Sequence, residues 1–473
     1  MKKFTLLCLA LLTIQSSLSQ TTQKNRVIIL SDIEADPDDT QSFVRLFLYA
    51  NEIDIKGIVA TTSCWMQTTI NPNSIEKIVD AYGKIQPNLL KHQKDYPSAE
   101  ALRSIIKEGL PKYGMTGVGD GMDSEGSDWI ISELEKDDDR PLWISVWGGV
   151  NTLAQSLHKI KNTKSIKDAK KLISKLRVYT ISDQDDSGLW IRNNFPDVFY
   201  IVSPGDNYED ATWTGVNTFI KGIDNTTISN EWLADNIQQN HGPLGAIYPD
   251  VAWGVEGDTP AFLSLIPNGL NESEHPNWGS WGGRYELYKP DFSKTKKGNS
   301  IVEIGAEKRA IWTNAIDNYT PHIPSKYGRS VKPDSTSFTG FKETLWRWRD
   351  DFNNDFAARM DWCTMSFENA NHPPVPVLSH PQEFEVKSGQ AFTLDALDST
   401  DPDGDNLSFL WFHYPEESSY KEKINLGADN VHIVHVTAPK VTKKETLHFI
   451  LKVTDKGSPE LSRYKRVIVT VTP

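Results

Sequence analysis

The chain has 473 residues, with 50 basic and 63 acidic side chains and a net charge of −13. That length points to roughly two to four domains, and the acidic balance works against binding phosphate backbones, so nucleic acid is not an expected partner. Hydrophobic residues at 38% and charged residues at 24% exclude wholesale disorder and a polytopic membrane protein. The 15 tryptophans suit sugar stacking and a large core equally.

Residues 1–20 read as a secretory signal. Lys2 and Lys3 are basic, Phe4 to Ile14 is apolar, and small residues run from Ser16 to Ser19. The apolar run is too short to span a bilayer, and no other stretch of about 18 apolar residues follows. The expectation is an exported protein, periplasmic or extracellular, without a membrane span. Cys64 and Cys363 would remain, and a disulfide and two buried thiols are both open.

Arg26 to Leu30 reads as a buried strand, Phe43, Val44, Phe47 and Leu48 repeat at helical spacing, and Ile55 to Ala60 reads as a second strand. The pattern recurs with strands at Pro141–Trp147, Leu176–Ile181 and Val198–Val202. This predicts an α/β fold with a mostly parallel open sheet and helices on both faces. Ligands of such sheets sit beyond the carboxyl ends of the strands. Trp346 to Arg349, with Phe352, Phe356 and Met360 after it, reads as a packed helix. Residues 369–378 contain three prolines and read as a linker. Short alternating apolar runs over 379–473 predict a small β-sandwich, in which Asp401 to Asp405 forms a tight polar turn. The main domain is therefore expected over 21–368.

The richest chemical signal is Asp32-Ile-Glu-Ala-Asp-Pro-Asp-Asp39, five carboxylates in eight residues between a strand and a helix. Such a cluster repels itself unless a cation neutralises it, and hard oxygen ligands favour Ca2+ or Mg2+. Capping the following helix needs only one or two of them.

This loop resembles that of the nucleoside hydrolase superfamily, whose members carry D-x-D-P-G-x-D-D after the first strand. Overlaid without a gap, Asp32 and Glu34 match the first two acids and Asp38-Asp39 the last two; Glu34 stands where the family has Asp, and Asp36 where it has Gly. The resemblance implies Glu34 as Ca2+ ligand and base toward water, Asp38 as the contact to sugar hydroxyls, and Asp39 as ligand. Gly148 to Ala154 resembles the family's G-P-L-T-N-L-A turn, which implies the Asn151 carbonyl as a ligand. Glu256 to Pro260 resembles the segment that supplies a final carboxylate, here Asp258. Gly257 replaces the His that serves as leaving-group acid.

The stretch Ser182 to Asn193 occupies the family's sugar loop, which implies Gln184, Asp185, Trp190, Arg192 and Asn193 as substrate contacts. Trp65 and Trp281 lie in loops suited to stacking. Together with Asp123–Ser127, Trp143–Gly149 and Trp278–Tyr285, the ordered set resembles secreted bacterial proteins with a nucleoside-hydrolase-like domain, often described as cellulose-binding, followed by a small β-sandwich.

The expected function is an exported Ca2+-dependent glycoside hydrolase acting on a sugar, furanosidic in one form, of a plant or algal polysaccharide. The alternatives are a non-catalytic carbohydrate-binding protein and, less favoured, a nucleoside hydrolase. No residue is assigned as leaving-group acid; Glu256, Asp185 and Glu125 are candidates. Homo-oligomerisation stays open.

Overall fold

Aliphatic residues fill both faces of the first strand, and such a strand belongs in the middle of a sheet covered from both sides. The computed structural model places it there. It describes residues 23–203, 208, 211–291, 302, 305–324, 331–333 and 336–473, so the signal read over residues 1–20 lies outside the described residues. The main sheet comprises β1 (Arg26–Ser31), β2 (Asp54–Ala60), β3 (Ile106–Glu108), β4 (Leu142–Val146), β5 (Leu176–Thr180), β6 (Phe199–Val202), β7 (Tyr285–Tyr288) and β8 (Ile311–Asn314). Their order is β3-β2-β1-β4-β5-β6-β8-β7, parallel throughout except that β7 runs against β8.

Side chains alternate across this sheet. Val27 and Ile29 enter one core with Phe43 and Phe47 of α1 (Asp38–Leu48) and Ile78 and Tyr82 of α2 (Pro72–His92). Ile28 and Leu30 enter the opposite core with Leu153, Leu157 and Ile160 of the helix Asn151–Thr163. The chain builds outward from β1 to β3, then returns to the other side of β1 with β4. The crevice beyond such a switch point is where ligands bind in open parallel sheets, so the loops after β1 and β4 are the ones to inspect.

Four short strands follow: β9 (Asp317–Tyr319), β10 (His322–Pro324), β11 (Val331–Pro333) and β12 (Phe338–Gly340), with β9 paired to β12 and β10 to β11. The C-terminal strands are β13 (Glu383–Lys387), β14 (Ala391–Asp395), β15 (Ser408–His413), β16 (Ile433–Thr437), β17 (Glu445–Thr454) and β18 (Ser462–Thr472). They form a four-stranded sheet, β13-β18-β17-β15, and a β14-β16 pair, with Leu394, Trp411, Val434, Phe449, Leu451 and Val469 between them. This is the sandwich that the alternating pattern predicts.

The first domain covers part of the outer face of the four-stranded sheet, over β17 and β18, while Glu383, Glu385 and Lys387 of β13 stay exposed. Ile450 and Tyr464 join the core of the first domain. Lys452 Nζ lies 2.5 Å from Asp351 Oδ1, and Arg463 Nη1 2.5 Å from Asp355 Oδ2. Both acids lie on the helix Arg349–Asp361. The segment read as a linker is also tied down at its start: Trp362 Nε1 donates to the Asn371 carbonyl at 2.9 Å, and the buried His372 pairs with Asp403 at 2.9 Å. Cys64 and Cys363 are two buried thiols rather than a disulfide. Among the described residues, no helix is long and apolar enough to cross a membrane.

Candidate functional site

The loop after β1 closes on local hydrogen bonds. The Ile33 N–H donates to Ser31 Oγ at 3.2 Å, and the Ala35 N–H donates to the Asp32 carbonyl at 2.9 Å. Glu34 holds φ at +79°, a left-handed conformation uncommon for a residue with a side chain. Asp36 Oδ1 then accepts the Asp38 N–H at 3.0 Å, a side-chain-to-backbone turn that leads into α1. Asp38 and Asp39 occupy the first turn of α1, where unpaired N–H groups favour negative charge. Ser31 Oγ donates to Asp39 Oδ1 at 2.5 Å.

Two turns along, α1 is gripped from behind. Arg45 Nε donates to Glu256 Oε2 at 2.5 Å, Nη1 to the Phe352 carbonyl at 2.8 Å and Nη2 to Asn353 Oδ1 at 2.8 Å. A guanidinium with that many fixed acceptors sets the rotation of the helix, and hence the placement of its first-turn acids.

Asp32, Asp36, Asp38, Asp39 and Asp258 line one pocket at the switch point, with Trp65, Trp147, Gln184, Tyr208 and Trp213 around them. One oxygen from each of Asp36, Asp38 and Asp39 lies within 4.8 Å of the others. Two glycines make this crowding possible. A Cβ on Gly148 would lie 2.6 Å from Asp32 Oδ1, and one on Gly257 would lie 2.6 Å from Asp38 Oδ2. Gly257, at the position to which the motif resemblance assigns a His, thus admits a carboxylate.

Burial pushes the Asp32 carboxyl up to about 6, against a hydrogen bond from Ser63 that pulls it down. Burial and then the mutual repulsion of the acids hold Asp38, Asp39 and Asp258 well above the ordinary carboxylate range. Asp258 is 3% exposed, and its Oδ2 has no hydrogen-bond partner among the described residues. A buried carboxylate oxygen without a donor is costly unless a cation faces it. The donor set is all oxygen and strongly anionic, and it fits a hard divalent cation of the Ca2+ type.

Asp38, Asp39, Asp258, Trp65 and Gln184 are therefore brought together. Glu34 is not: it is exposed and borders a different hollow, beside Pro37, Lys77 and Pro249. Asp36 stands in the pocket in its stead, and its signal in the sequence is the Asp36-Pro37 pair, which matches the D-P of the family motif once two residues are skipped. Asn151 does not line the pocket either. It is the first residue of its helix, so its carbonyl belongs to the i to i+4 ladder, while its N–H donates to Asp185 Oδ2 at 3.2 Å.

Asp185 is buried behind the pocket, accepting from Ser187 N at 2.9 Å, and burial pushes it up to about 6. Arg192 is locked at 2.8 and 2.9 Å onto both oxygens of Asp183 and at 2.7 Å onto Glu307, so its expected contact with substrate gives way to an internal ion-pair cluster. Trp190 packs against Phe195, with ring centroids 5.6 Å apart. Asn193 is half-buried and lies outside the pocket lining. Trp281 is fully buried between Phe352 and Tyr464, a core residue rather than a stacking platform.

The leaving-group candidates fare similarly. Glu256 has no exposure and is held by Arg45, Tyr248 and Thr259. Glu125 pairs with Lys107 at 2.8 Å at the start of its own helix.

Gln184 donates through Nε2 to the Trp147 carbonyl at 2.5 Å, and its Oε1 has no partner among the described residues. Trp65 is 55% exposed. The pocket thus pairs an acidic floor with an amide acceptor and an aromatic ring at its mouth.

Residues 26–285 match the family described as "Cellulose-binding Sde182, nucleoside hydrolase-like domain", and residues 391–471 match "Cellulose-binding protein Sde0182, C-terminal domain". Among solved structures, a nucleoside hydrolase-related hypothetical protein from Saccharophagus degradans, associated with carbohydrate metabolism, is 35% identical at a TM-score of 0.79. That match covers 95% of this chain and 100% of the other. The effector protein XOO4466 is also similar, at 9% identity and a TM-score of 0.33 over 62% of this chain and 87% of its own, too distant to carry weight. No curated protein matches the chain. From its first strand to the end of its sandwich, the chain belongs to the Sde182 family of nucleoside-hydrolase-like proteins.

Proposed function

We propose that this is an exported carbohydrate-active protein, a Ca2+-dependent glycoside hydrolase that binds a sugar of a polysaccharide at the acidic pocket. The observation that carries the proposal is the convergence of five aspartates on one crevice, one of them with an unpartnered buried oxygen, beneath an exposed tryptophan. The cellulose-binding description of the family supports a glycan over a free nucleoside. Asp36, Asp39 and Asp258 would hold the ion, and a bound divalent cation supplies charge neutralisation and a more acidic water.

The chain's own residues do the rest. Asp38 accepts hydrogen bonds from sugar hydroxyls, Gln184 Oε1 accepts another, and Trp65 covers the apolar face of the ring. Asp36, rather than Glu34, is the acid placed to take a proton from water at the pocket floor.

A second reading is a carbohydrate-binding protein without turnover. Gly257 favours it, because no imidazole stands beside Asp258 to protonate a leaving group, and the neighbouring Glu256 is fully engaged. One screen decides between the two. The purified chain is incubated with cello-oligosaccharides, other plant and algal glycans and nucleosides, in Ca2+ and in chelator, while binding and release of reducing sugar are followed. Cation-dependent sugar release supports the hydrolase. Glycan binding without release moves the assignment to the binder, and turnover of nucleosides alone overturns the glycan reading.

A further inference from the structure

Two segments leave the acidic pocket side by side. Near the acids, a Cβ on Gly257 would meet Trp213 Cζ3 at 3.2 Å; farther out, a Cβ on Gly254 would meet Asn217 Nδ2 at 2.5 Å. Residue numbers rise along one segment as they fall along the other; Trp253 directly precedes Gly254, and Phe219 lies two residues beyond Asn217. Trp253 is 91% exposed and Phe219 73% exposed. Large aromatic rings are normally among the best-buried groups of a domain, and two of them open on adjoining loops need a reason.

Neither loop is slack. The side chain of Gln41 fastens both ends of the Trp253 loop: Nε2 donates to the Pro249 carbonyl at 3.1 Å, and Oε1 accepts the Glu256 N–H at 2.9 Å. Phe219 is pinned on both sides as well, with the Thr218 carbonyl accepting from Arg349 at 2.7 Å and the Ile220 N–H donating to Asn225 Oδ1 at 2.9 Å. Rings held out on anchored backbone are preorganised for a ligand with flat apolar faces.

We propose that Trp253, with Phe219 on the adjoining segment, is a stacking platform for a further sugar unit of a glycan whose first unit lies over the acidic pocket. The ligand is then an oligosaccharide or polymer chain, not a monosaccharide or nucleoside. The four residues from Gly257 to Trp253 span at most about 14 Å, within reach of a short oligosaccharide. The proposal rests on the carbohydrate reading above and adds the direction in which the chain runs.

The test titrates the full-length protein, in Ca2+, with cellobiose and with cellohexaose. Wild type is expected to bind the longer sugar more tightly, and Trp253→Ala is expected to lose about five- to tenfold on cellohexaose while matching wild type on cellobiose. Trp253→Phe should keep most of the gain. Because the side chain is exposed, the melting temperature of Trp253→Ala should equal that of wild type, which separates lost binding from lost folding. If wild type prefers the longer sugar and Trp253→Ala keeps that preference, the platform is overturned and the carbohydrate reading stands. Wild type binding both sugars equally also overturns the platform. If wild type binds neither, the same comparison is made with the short and long forms of the glycan that the screen above selects, and a wild type that binds no glycan of that screen overturns both. A switch from dimer to monomer on Trp253→Ala, seen by sedimentation, would assign the rings to a second copy of the chain instead.

Discussion

Chelation should destabilise the folded chain at neutral pH and leave it untouched at pH 4.5. Asp32 is buried, and its carboxyl is pushed from an ordinary 3.8 to about 6. Between those values the folded state keeps a proton that the unfolded state has lost, so stability without a cation falls as pH rises through that window. The gap corresponds to about 3 kcal/mol at roughly 1.4 kcal/mol per pH unit. Asp38, Asp39 and Asp258 shift in the same direction. A cation facing the ionised acids cancels this loss, and at about 100 times its Kd it contributes about 2.7 kcal/mol by mass action alone. For about 350 cooperatively unfolding residues, with an unfolding entropy of about 2 cal/mol/K each, 3 kcal/mol is a shift of about 4 °C. The imidazoles of half-buried His413 and buried His448, held down at about 4 and about 3, titrate in the opposite sense. They lie in the sandwich, so they cancel in the difference between Ca2+-loaded and chelated samples. The assay is a pair of melting curves at each pH from 4.5 to 8. The difference should open from near zero to several degrees by pH 7, with protons released on Ca2+ binding. A difference that is flat across this range, or largest at pH 4.5, would refute the cation site.

Asp36→Asn should lower any glycan turnover about a hundred- to ten-thousand-fold, whereas Glu34→Gln should stay within about twofold of wild type; initial rates on the active substrate check both. Asp258→Asn removes a buried unpartnered charge, so the chelated variant should melt above chelated wild type yet show no upward shift with Ca2+. Gly257→His should be destabilised by about 1–3 kcal/mol, because its Cβ would press on Asp38 Oδ2, and denaturant titration reads the change. Fragment 21–370 should lose about 3–5 kcal/mol or fold incompletely, since it strips Lys452 and Arg463 from the buried acids Asp351 and Asp355. Near-ultraviolet circular dichroism of the tryptophans follows it, and a native-like melt would refute this reading.

The parallel sheet is legible because its strands are apolar on both faces and its helices carry a clear three-to-four repeat, both local signals. The acidic loop is legible as well, but its register is not. A gapless overlay favours Glu34, while a turn only two residues shorter than the family's places Asp36-Pro37 at the pocket, and a loop's length change leaves no mark on hydrophobic periodicity. Arg192 and Trp281 show a second limit. An arginine or tryptophan near a ligand loop has the same local sequence whether it meets solvent or a partner far along the chain, and their partners are Glu307 and Tyr464. The outer face of the sandwich was unreadable for the same reason. The even-numbered residues His448, Ile450 and Lys452 look like an ordinary half-polar strand face, and only the long-range pairing of Lys452 with Asp351 turns that face inward.

Arg45 gives the sandwich a stake in the chemistry. The guanidinium that holds α1 from behind rests on Phe352 and Asn353, and the same helix is clasped on either side of them by Lys452 and Arg463. Three rigid bodies are thus coupled in series: the helix whose first turn bears Asp38 and Asp39, the helix Arg349–Asp361, and the four-stranded sheet. A swing of the C-terminal domain at those two clasps would reach α1, and so the spacing of the acids, through Arg45 and through Arg359, which donates to the Leu48 carbonyl at the end of α1. The sandwich is then less a passenger than the back plate of an instrument, and its alignment sets the tolerance of the pocket.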